Sequence, residues 1–244
     1  MLTLNSNDPL AVAVVAAIQN GNIDSLRQLL LENSDLAKAR IVDNKGTSRT
    51  LLHIVTDWPG HFPNGATTVG ILVEAGADVN ARFVGPHSET PLHWAASCDD
   101  VEVLNALIDA GADIDATGAI IVNGTPLTDA RVFRQWNAAH RLVQLGAKTT
   151  LDDSAALGLV DRVENYFSGD TSPTQRDVNC AFWNACHGAQ MQCAKYLLSQ
   201  GAELNWVPDW EERTPLDAAI RSDATMLVQW LRQQGAESAI ALNR

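Results

Sequence analysis

The chain has little positive charge. Its 17 Lys and Arg stand against 29 Asp and Glu, giving a formal net charge of −12 over 244 residues and a pI near 4.8. Phosphate recognition needs a basic stripe, and none is present, so nucleic acid is not expected as a partner. An anionic membrane surface is disfavoured for the same reason. Long apolar runs are missing too. The run Leu10–Ile18 is far shorter than the ~20 residues that span a bilayer. A secretory signal would carry a basic region before it, but Asp8 precedes the run and the first Lys or Arg is Arg27. The run therefore reads as the first helix of the folded chain. Cysteine is sparse. Cys98, Cys180, Cys186 and Cys193 have no metal-like spacing, which fits reduced thiols in a cytoplasmic protein. Gly-rich phosphate loops, paired-carboxylate motifs and metal-ligand spacings are likewise lacking, so no cofactor or metal is expected.

What the chain has instead is repetition. Gly-Ala occurs at Gly76, Gly111, Gly146, Gly201 and Gly235, and Thr-Pro-Leu at Thr90, Thr125 and Thr214, each 21 residues ahead of its Gly-Ala. The first three glycines fall at intervals of 35 and the last two at 34. Gly169 splits the 55-residue gap between Gly146 and Gly201 into 23 and 32, marking a short repeat. There Thr149-Thr150-Leu151-Asp152 stands in the Thr-Pro-Leu-His slot, and Cys180-Ala181-Phe182-Trp183 fills that slot in the repeat that follows. Seven repeats result, at about 1–44, 45–84, 85–119, 120–148, 149–175, 176–209 and 210–244, and they are expected to form one domain. At 46% hydrophobic, the chain can build a substantial core.

Each motif position has a physical role. Thr caps a helix start, and Pro is preset for the first turn. Leu and the paired Ala fill the narrow space between neighbouring helices. Gly takes the left-handed conformation that ends a helix. Val101–Ile108 carries apolar residues at helical spacing with polar residues between. One pair cannot bury its apolar face alone, so its neighbours supply the core. A period of about 33–35 residues carrying Thr90-Pro91-Leu92-His93-Trp94-Ala95 resembles the ankyrin repeat. Arg49–Gly65 and Glu89–Asp100 look like a bacterial-type ankyrin subgroup to which no activity is attached. The resemblance implies an all-α solenoid of stacked helix pairs with hairpin-like fingers. Inner helices and fingers would form its concave binding face.

Two departures from the repeat stand out. Thr50 precedes Gly76 by 26 residues, because Asp57-Trp58-Pro59-Gly60-His61-Phe62-Pro63-Asn64-Gly65 is inserted between two helices. Pro59 and Pro63 stop any helix there. This segment is either a lid presenting Asp57, Trp58 and His61 to the concave side, or a surface insertion whose aromatic residues pack down locally. The second departure is aromatic and acidic. Trp58, Trp94, Trp136 and Trp183 fall on or beside inner helices, and Trp206 and Trp210 in the finger before the last repeat. Asp57, Asp99, Asp100, Asp129, Asp153, Asn184 and Asp217 run alongside. Asp129 and Asn184 take the position where an aliphatic side chain normally packs, and a buried carboxylate is costly unless partnered. Trp and Asp on one concave surface suit a cationic ligand through charge attraction and cation–π contact. The alternative is that the Trp residues fill gaps beside small neighbours while the Asp residues cap helices or face solvent.

The resemblance implies that His53 and His93 tie adjacent repeats by hydrogen bonds. Equivalent positions on neighbouring helices lie roughly 8–10 Å apart, too far to share one metal through bonds of about 2 Å. His53 and Asp57 share a helix face, but no nucleophile is identifiable by spacing. Cys186 and His187 point about 100° apart and cannot act as a dyad. Fingers Phe83–Ser88, Gly118–Gly124 and Trp206–Glu211 are longer or more apolar than minimal hairpins. Exposed Ile120, Ile121, Trp206 and Trp210 would mark a contact patch, unless neighbouring fingers pack on one another.

The expected function is a non-enzymatic module that engages a protein or peptide partner, a basic one being well suited, through the concave face and fingers. The alternative is a small-molecule site or enzyme in a Trp- and Asp-lined groove capped by residues 57–65, favouring a cation. The binding residues expected are Asp57, Trp58, His61, Trp94, Asp99, Asp129, Trp136, Trp183 and Trp206, with no catalytic residue among them. A broad open strip would fit the first reading, and one deep pocket lined by several Trp the second.

Overall fold

Threonines set most of the inner-helix starts. In the computed structural model, which describes residues 2–169 and 172–242, the chain divides into two compact units, Met1–Ala147 and Lys148–Arg244. The first contains β1 (Thr3–Asn5), α1 (Pro9–Gln19), α2 (Ile23–Glu32), β2 (Arg40–Val42), β3 (Ser48–Thr50), α3 (Leu51–Val55), α4 (Gly65–Glu74), α5 (Pro91–Ser97), α6 (Val101–Asp109), α7 (Pro126–Val132) and α8 (Trp136–Gln144). The second contains α9 (Leu151–Ala156), α10 (Val160–Phe167), α11 (Gln175–His187), α12 (Met191–Ser199), α13 (Pro215–Arg221), α14 (Thr225–Gln233) and the short α15 (Ala239–Leu242). From α1 to α14 the described residues form seven consecutive helix pairs, an inner helix followed by an outer one.

From α3 onwards the inner helices share one start device. A Thr N-cap pairs with the residue three positions on, whose side chain returns to the Thr backbone N–H. The partner is His53 or His93 in α3 and α5, Thr128 in α7, and Asp153, Asp177 or Asp217 in the second unit. Two slots therefore shift from the sequence expectation. In the fifth repeat the cap is Thr150 rather than Thr149, because Asp153 supplies the return bond at 2.9 Å. In the sixth the helix starts at Thr174, so Cys180–Trp183 lies inside a longer α11.

Every inner–outer turn passes through the left-handed region, at Gly21, Asn64, Asp99, Arg134, Gly158, Ala189 and Asp223. The outer helices α4, α6, α8, α12 and α14 end the same way, at Gly76, Gly111, Gly146, Gly201 and Gly235; Gly111 sits at φ 93° with its N–H on Ile108 O.

Apolar faces of the pairs make the cores. Leu51, Leu52, Ile54, Leu72, Leu92, Leu104, Leu107 and Leu127 are fully buried in the first unit, each removal from water stabilising by roughly 1.5–3 kcal/mol. Phe182, Trp183, Leu197 and Leu231 anchor the second. The fold is all-α apart from a small sheet the periodicity did not announce. There β2 lies between parallel β1 and antiparallel β3, and the Arg40 guanidinium bonds Ser48 and the Arg82 carbonyl. No helix among the described residues is long and apolar enough to cross a membrane.

Candidate functional site

The inserted segment, one face of α5 and its end, and one face of α7 line a cleft of about 230 Å³ in the first unit. Asp57 and Trp58 come from the insertion, His87 and Glu89 from the finger, Trp94, Ser97 and Cys98 from α5 and its end, Ile120 from the next finger, and Asp129 and Phe133 from α7 and its end. Its rim is apolar and open to solvent: Trp58 is 83% exposed, Ile120 60% and Phe133 49%. Its floor is acidic, with Glu89 and Asp129 both buried.

The carboxyls differ in how they are satisfied. Asp57 receives Arg49 Nη1 at 2.6 Å and the Trp58 N–H at 3.0 Å. Burial nevertheless pushes its pKa above the usual carboxylate value, against the pull of Arg49. Glu89 accepts the Trp94 indole N–H at 2.7 Å on one oxygen and the Ile120 N–H at 3.0 Å on the other, with His87 Nδ1 3.2 Å away. Asp129 is the exception. Its Oδ1 is buried without a hydrogen-bond partner. Burial first and then the Glu89 charge raise its pKa to about 8, and Arg131 opposes them.

Aromatic packing holds the floor in place. Trp94 meets the His53 ring edge-on at 4.9 Å and Phe83 at 5.5 Å, while Phe83 stacks on His87 at 4.4 Å. His53 and His93 do tie neighbouring repeats. Each Nδ1 accepts from its Thr N–H, so each Nε2 donates onwards, to Glu89 O at 3.2 Å and Gly124 O at 3.3 Å. Burial lowers their pKa values to about 3 and about 4.

Of the nine residues the sequence singled out, the cleft gathers Asp57, Trp58, Trp94 and Asp129. His61 points elsewhere. Its N–H donates to Asp100 at 2.8 Å and its ring lies 3.0 Å from the Cys98 carbonyl, which pins the insertion to the next turn. Asp99 caps a neighbour, accepting the Ala138 N–H and the Asn137 amide at 2.7 Å each. Trp136 opens the outer helix α8, not an inner one. Trp183 is buried in the second unit, where its indole N–H donates to Arg213 O at 3.0 Å, and Trp206 packs edge-on to Trp210 at 5.6 Å. Trp210 itself is exposed, as are Ile120 and Ile121. Asp153 and Asp217 cap helices. Glu89, His87 and Phe133 line the cleft outside those nine, and Ile120, named from the sequence only as part of a finger patch, joins them. The signal for Glu89 was Trp94, an indole in a tight inner helix that needs an acceptor nearby.

No group of three or more His, Cys, Asp or Glu among the described residues could hold a metal ion. The four cysteines are free, and burial raises the Cys98, Cys180, Cys186 and Cys193 thiols above their usual value.

Helix pairs with mostly Thr-capped inner helices, left-handed turns between them and a Gly-Ala after most outer helices define a repeat protein. The family profile described as "Ankyrin repeats (3 copies)" matches residues 13–118 and 154–240, and the chain belongs to the ankyrin-repeat family. It is similar to mouse "Protein fem-1 homolog C", 36% identical over 109 residues, covering 45% of this chain and 16% of that protein. It is 26% identical over 218 residues to mouse "Rabankyrin-5", covering 79% of this chain and 18% of the relative. Mouse "RelA-associated inhibitor" is 34% identical over 110 residues, 45% of this chain and 12% of the relative. The chain thus spans less than a fifth of these relatives. The human ASB11 ankyrin repeat domain matches with a TM-score of 0.52 at 21% identity, over 94% of this chain and 84% of that one, which shows the fold alone.

Proposed function

We propose that the chain is a non-enzymatic, cytoplasmic binding module that docks a protein or peptide through the inner-helix and finger surface of its first unit. The observation that carries this reading is the cleft, with exposed Trp58, Ile120 and Phe133 around a buried acidic floor. Rigid aromatic side chains left in water are what contact surfaces use as anchors. The family supports the same reading, since ankyrin repeats are generally protein-interaction modules. A name such as "RelA-associated inhibitor" describes association for that relative. Size argues against the small-molecule alternative. About 230 Å³ falls below the roughly 300–1,000 Å³ of ligand pockets, and only Trp58 and Trp94 of the expected Trp residues line it.

A displayed random-peptide library, selected against the intact chain, tests the reading. Enriched peptides are expected to protect the backbone around Trp58, Trp94 and Ile120 from hydrogen exchange. Failure to enrich any peptide, or a footprint confined to other residues, would reject it.

A further inference from the structure

Within the docking surface, the cleft floor poses a separate chemical question. A buried carboxyl whose Oδ1 has no partner is an expense the helix did not need, since an aliphatic residue would pack there. The neighbouring acceptors are in use. Glu89 receives Trp94 and Ile120 on its two oxygens, and Asp57 receives Arg49 and the Trp58 N–H. Among the three cleft carboxyls, Asp129 is the one with a buried oxygen that receives no hydrogen bond, and Glu89 beside it adds negative potential.

We infer that the cleft is a socket for one lysine side chain of the partner, its ammonium held at the Asp129 and Glu89 carboxyls and its methylene stem lying along Trp58, Trp94 and Phe133. This rests on the docking reading above. An ammonium is a compact point donor, suited to the one unbonded carboxyl oxygen of Asp129. The planar guanidinium of arginine demands two parallel acceptor oxygens, which Glu89 and Asp57 have already committed. A quaternary ammonium would keep the aromatic contact but has no N–H to give Asp129. The apolar rim fits the stem, as lysine buries its methylenes along apolar surface while its head seeks charge. The chain's net charge of −12 steers basic segments towards it.

Occupancy is coupled to a proton. Asp129 is largely protonated at neutral pH when the cleft is empty, and the arriving ammonium favours its ionised form, so the proton leaves to solvent as lysine binds. Asp57, His87, Glu89 and Cys98 line the same cleft, His93 lies on the adjoining α5, and Arg131 shares α7.

The test uses N-acetyl-lysine methylamide as the probe and the Trp94 indole N–H, which donates to Glu89, as the nuclear magnetic resonance reporter. A saturable shift is expected, with no shift from the norleucine analogue and affinity weaker by roughly tenfold or more for the trimethyl-lysine analogue. Asp129→Asn, checked for folding by its melting curve, should weaken lysine binding by a similar factor. Trp58→Ala, at a site 83% exposed, is the second variant and should weaken lysine binding while its melting curve holds. Lysine affinity should rise from pH 6 to about 8 and then level off in the parent chain, and lose that rise in Asp129→Asn. Equal binding of the norleucine or trimethyl analogue, or unchanged binding in Asp129→Asn, would overturn the socket. A pH step that survives in Asp129→Asn overturns the proton coupling. Library-selected peptides that bind equally well with lysine replaced by norleucine would sink the socket and leave the docking surface standing. A chain that binds the lysine analogue but enriches no peptide has a free-amine site, which overturns the assignment to a partner's lysine and the docking reading with it.

Discussion

The two units answer the same structural problem with different chemistry. In the first, the position that ties an inner helix to the next repeat is a histidine, His53 or His93, bonded to a carbonyl 31 to 36 residues on. In the sixth repeat that position holds Trp183, whose indole N–H reaches Arg213 O, 30 residues on, at 3.0 Å. Both side chains span the gap with one N–H donor, but only the histidines also close a capping box. That leaves α11 free to begin six residues earlier, capped by Thr174 and Asp177. The indole has no acid–base chemistry, while the imidazoles do. The aromatic residues of the second unit are thus largely structural, with Trp183 against His187 at 5.3 Å and against Trp210 at 6.2 Å. In the first unit the surplus aromatic residue, Trp58, is left in water beside carboxyls.

The sharpest way to break the comparison is Trp183→Ala. It removes a side chain that is 4% exposed and orphans the Arg213 carbonyl, so the second unit should lose about 3–5 kcal/mol in denaturant unfolding. Single His53→Ala or His93→Ala changes should cost about 2–3 kcal/mol each, because a Thr N–H and a carbonyl lose their partners together. The histidines also add a pH response. Their folded pKa values, about 3 and about 4, lie below the usual 6.5, so between those limits the unfolded chain binds protons that the folded chain refuses. Stability contributed by the first unit therefore falls as pH drops from 6.5 towards 4. Hydrogen exchange should show α3 and α5 losing protection over that range. Equal acid sensitivity in α11, where the tie is Trp183, would undo the contrast.

Asp129 works on the opposite flank. Its folded pKa of about 8 exceeds the ordinary 3.8 of an aspartate, so the folded state holds a proton that the unfolded state releases, and stability falls as pH rises between those values. Asp129→Ala should stabilise the first unit by about 1–3 kcal/mol at pH 8 and by almost nothing at pH 4, as read by the thermal midpoint at each pH. No gain at pH 8 would mean that the carboxyl is already satisfied in the empty protein. The first unit would then resemble the second, with its acidic residues in structural use throughout.

These residues also mark how far the sequence could be read. The helix pairs and most of the Thr caps were legible because each obeys a short-range rule repeated many times. The two displaced starts were not, since an Asp at the third position replaces the His that defines the motif, and only a return bond to Thr150 or Thr174 identifies the true cap. The site was half legible. Asp57, Trp58, Trp94 and Asp129 stood out as residues the repeat did not require, and the cleft gathers them. Asp99 stood out equally but serves the N-terminus of α8 in the next repeat, a partner 39 residues away that periodicity cannot single out. Glu89 was hidden for the reverse reason: it precedes an ordinary cap, and its role appears only once Trp94 and Ile120 close on it.

The smallest effect on stability belongs to Trp58→Ala, and it separates packing from binding most cleanly. At 83% exposure the ring contributes little burial, so the thermal midpoint should correspond to a change within about 0.5 kcal/mol, as for an ordinary surface site. The backbone around it is held independently. Its N–H donates to Asp57, which Arg49 fixes, and the Gly60 N–H reaches the Asp57 carbonyl at 2.7 Å. Gly60 at φ 75° brings the segment against Cys98, where an added Cβ would stand 2.8 Å from the Cys98 Cβ. The insertion is therefore anchored without its tryptophan. If peptide binding falls by roughly tenfold while stability holds, the ring is present for a partner, in contrast to Trp183. If instead the thermal midpoint falls and binding is unchanged, Trp58 is a packing residue like Trp183, and the difference between the two units disappears.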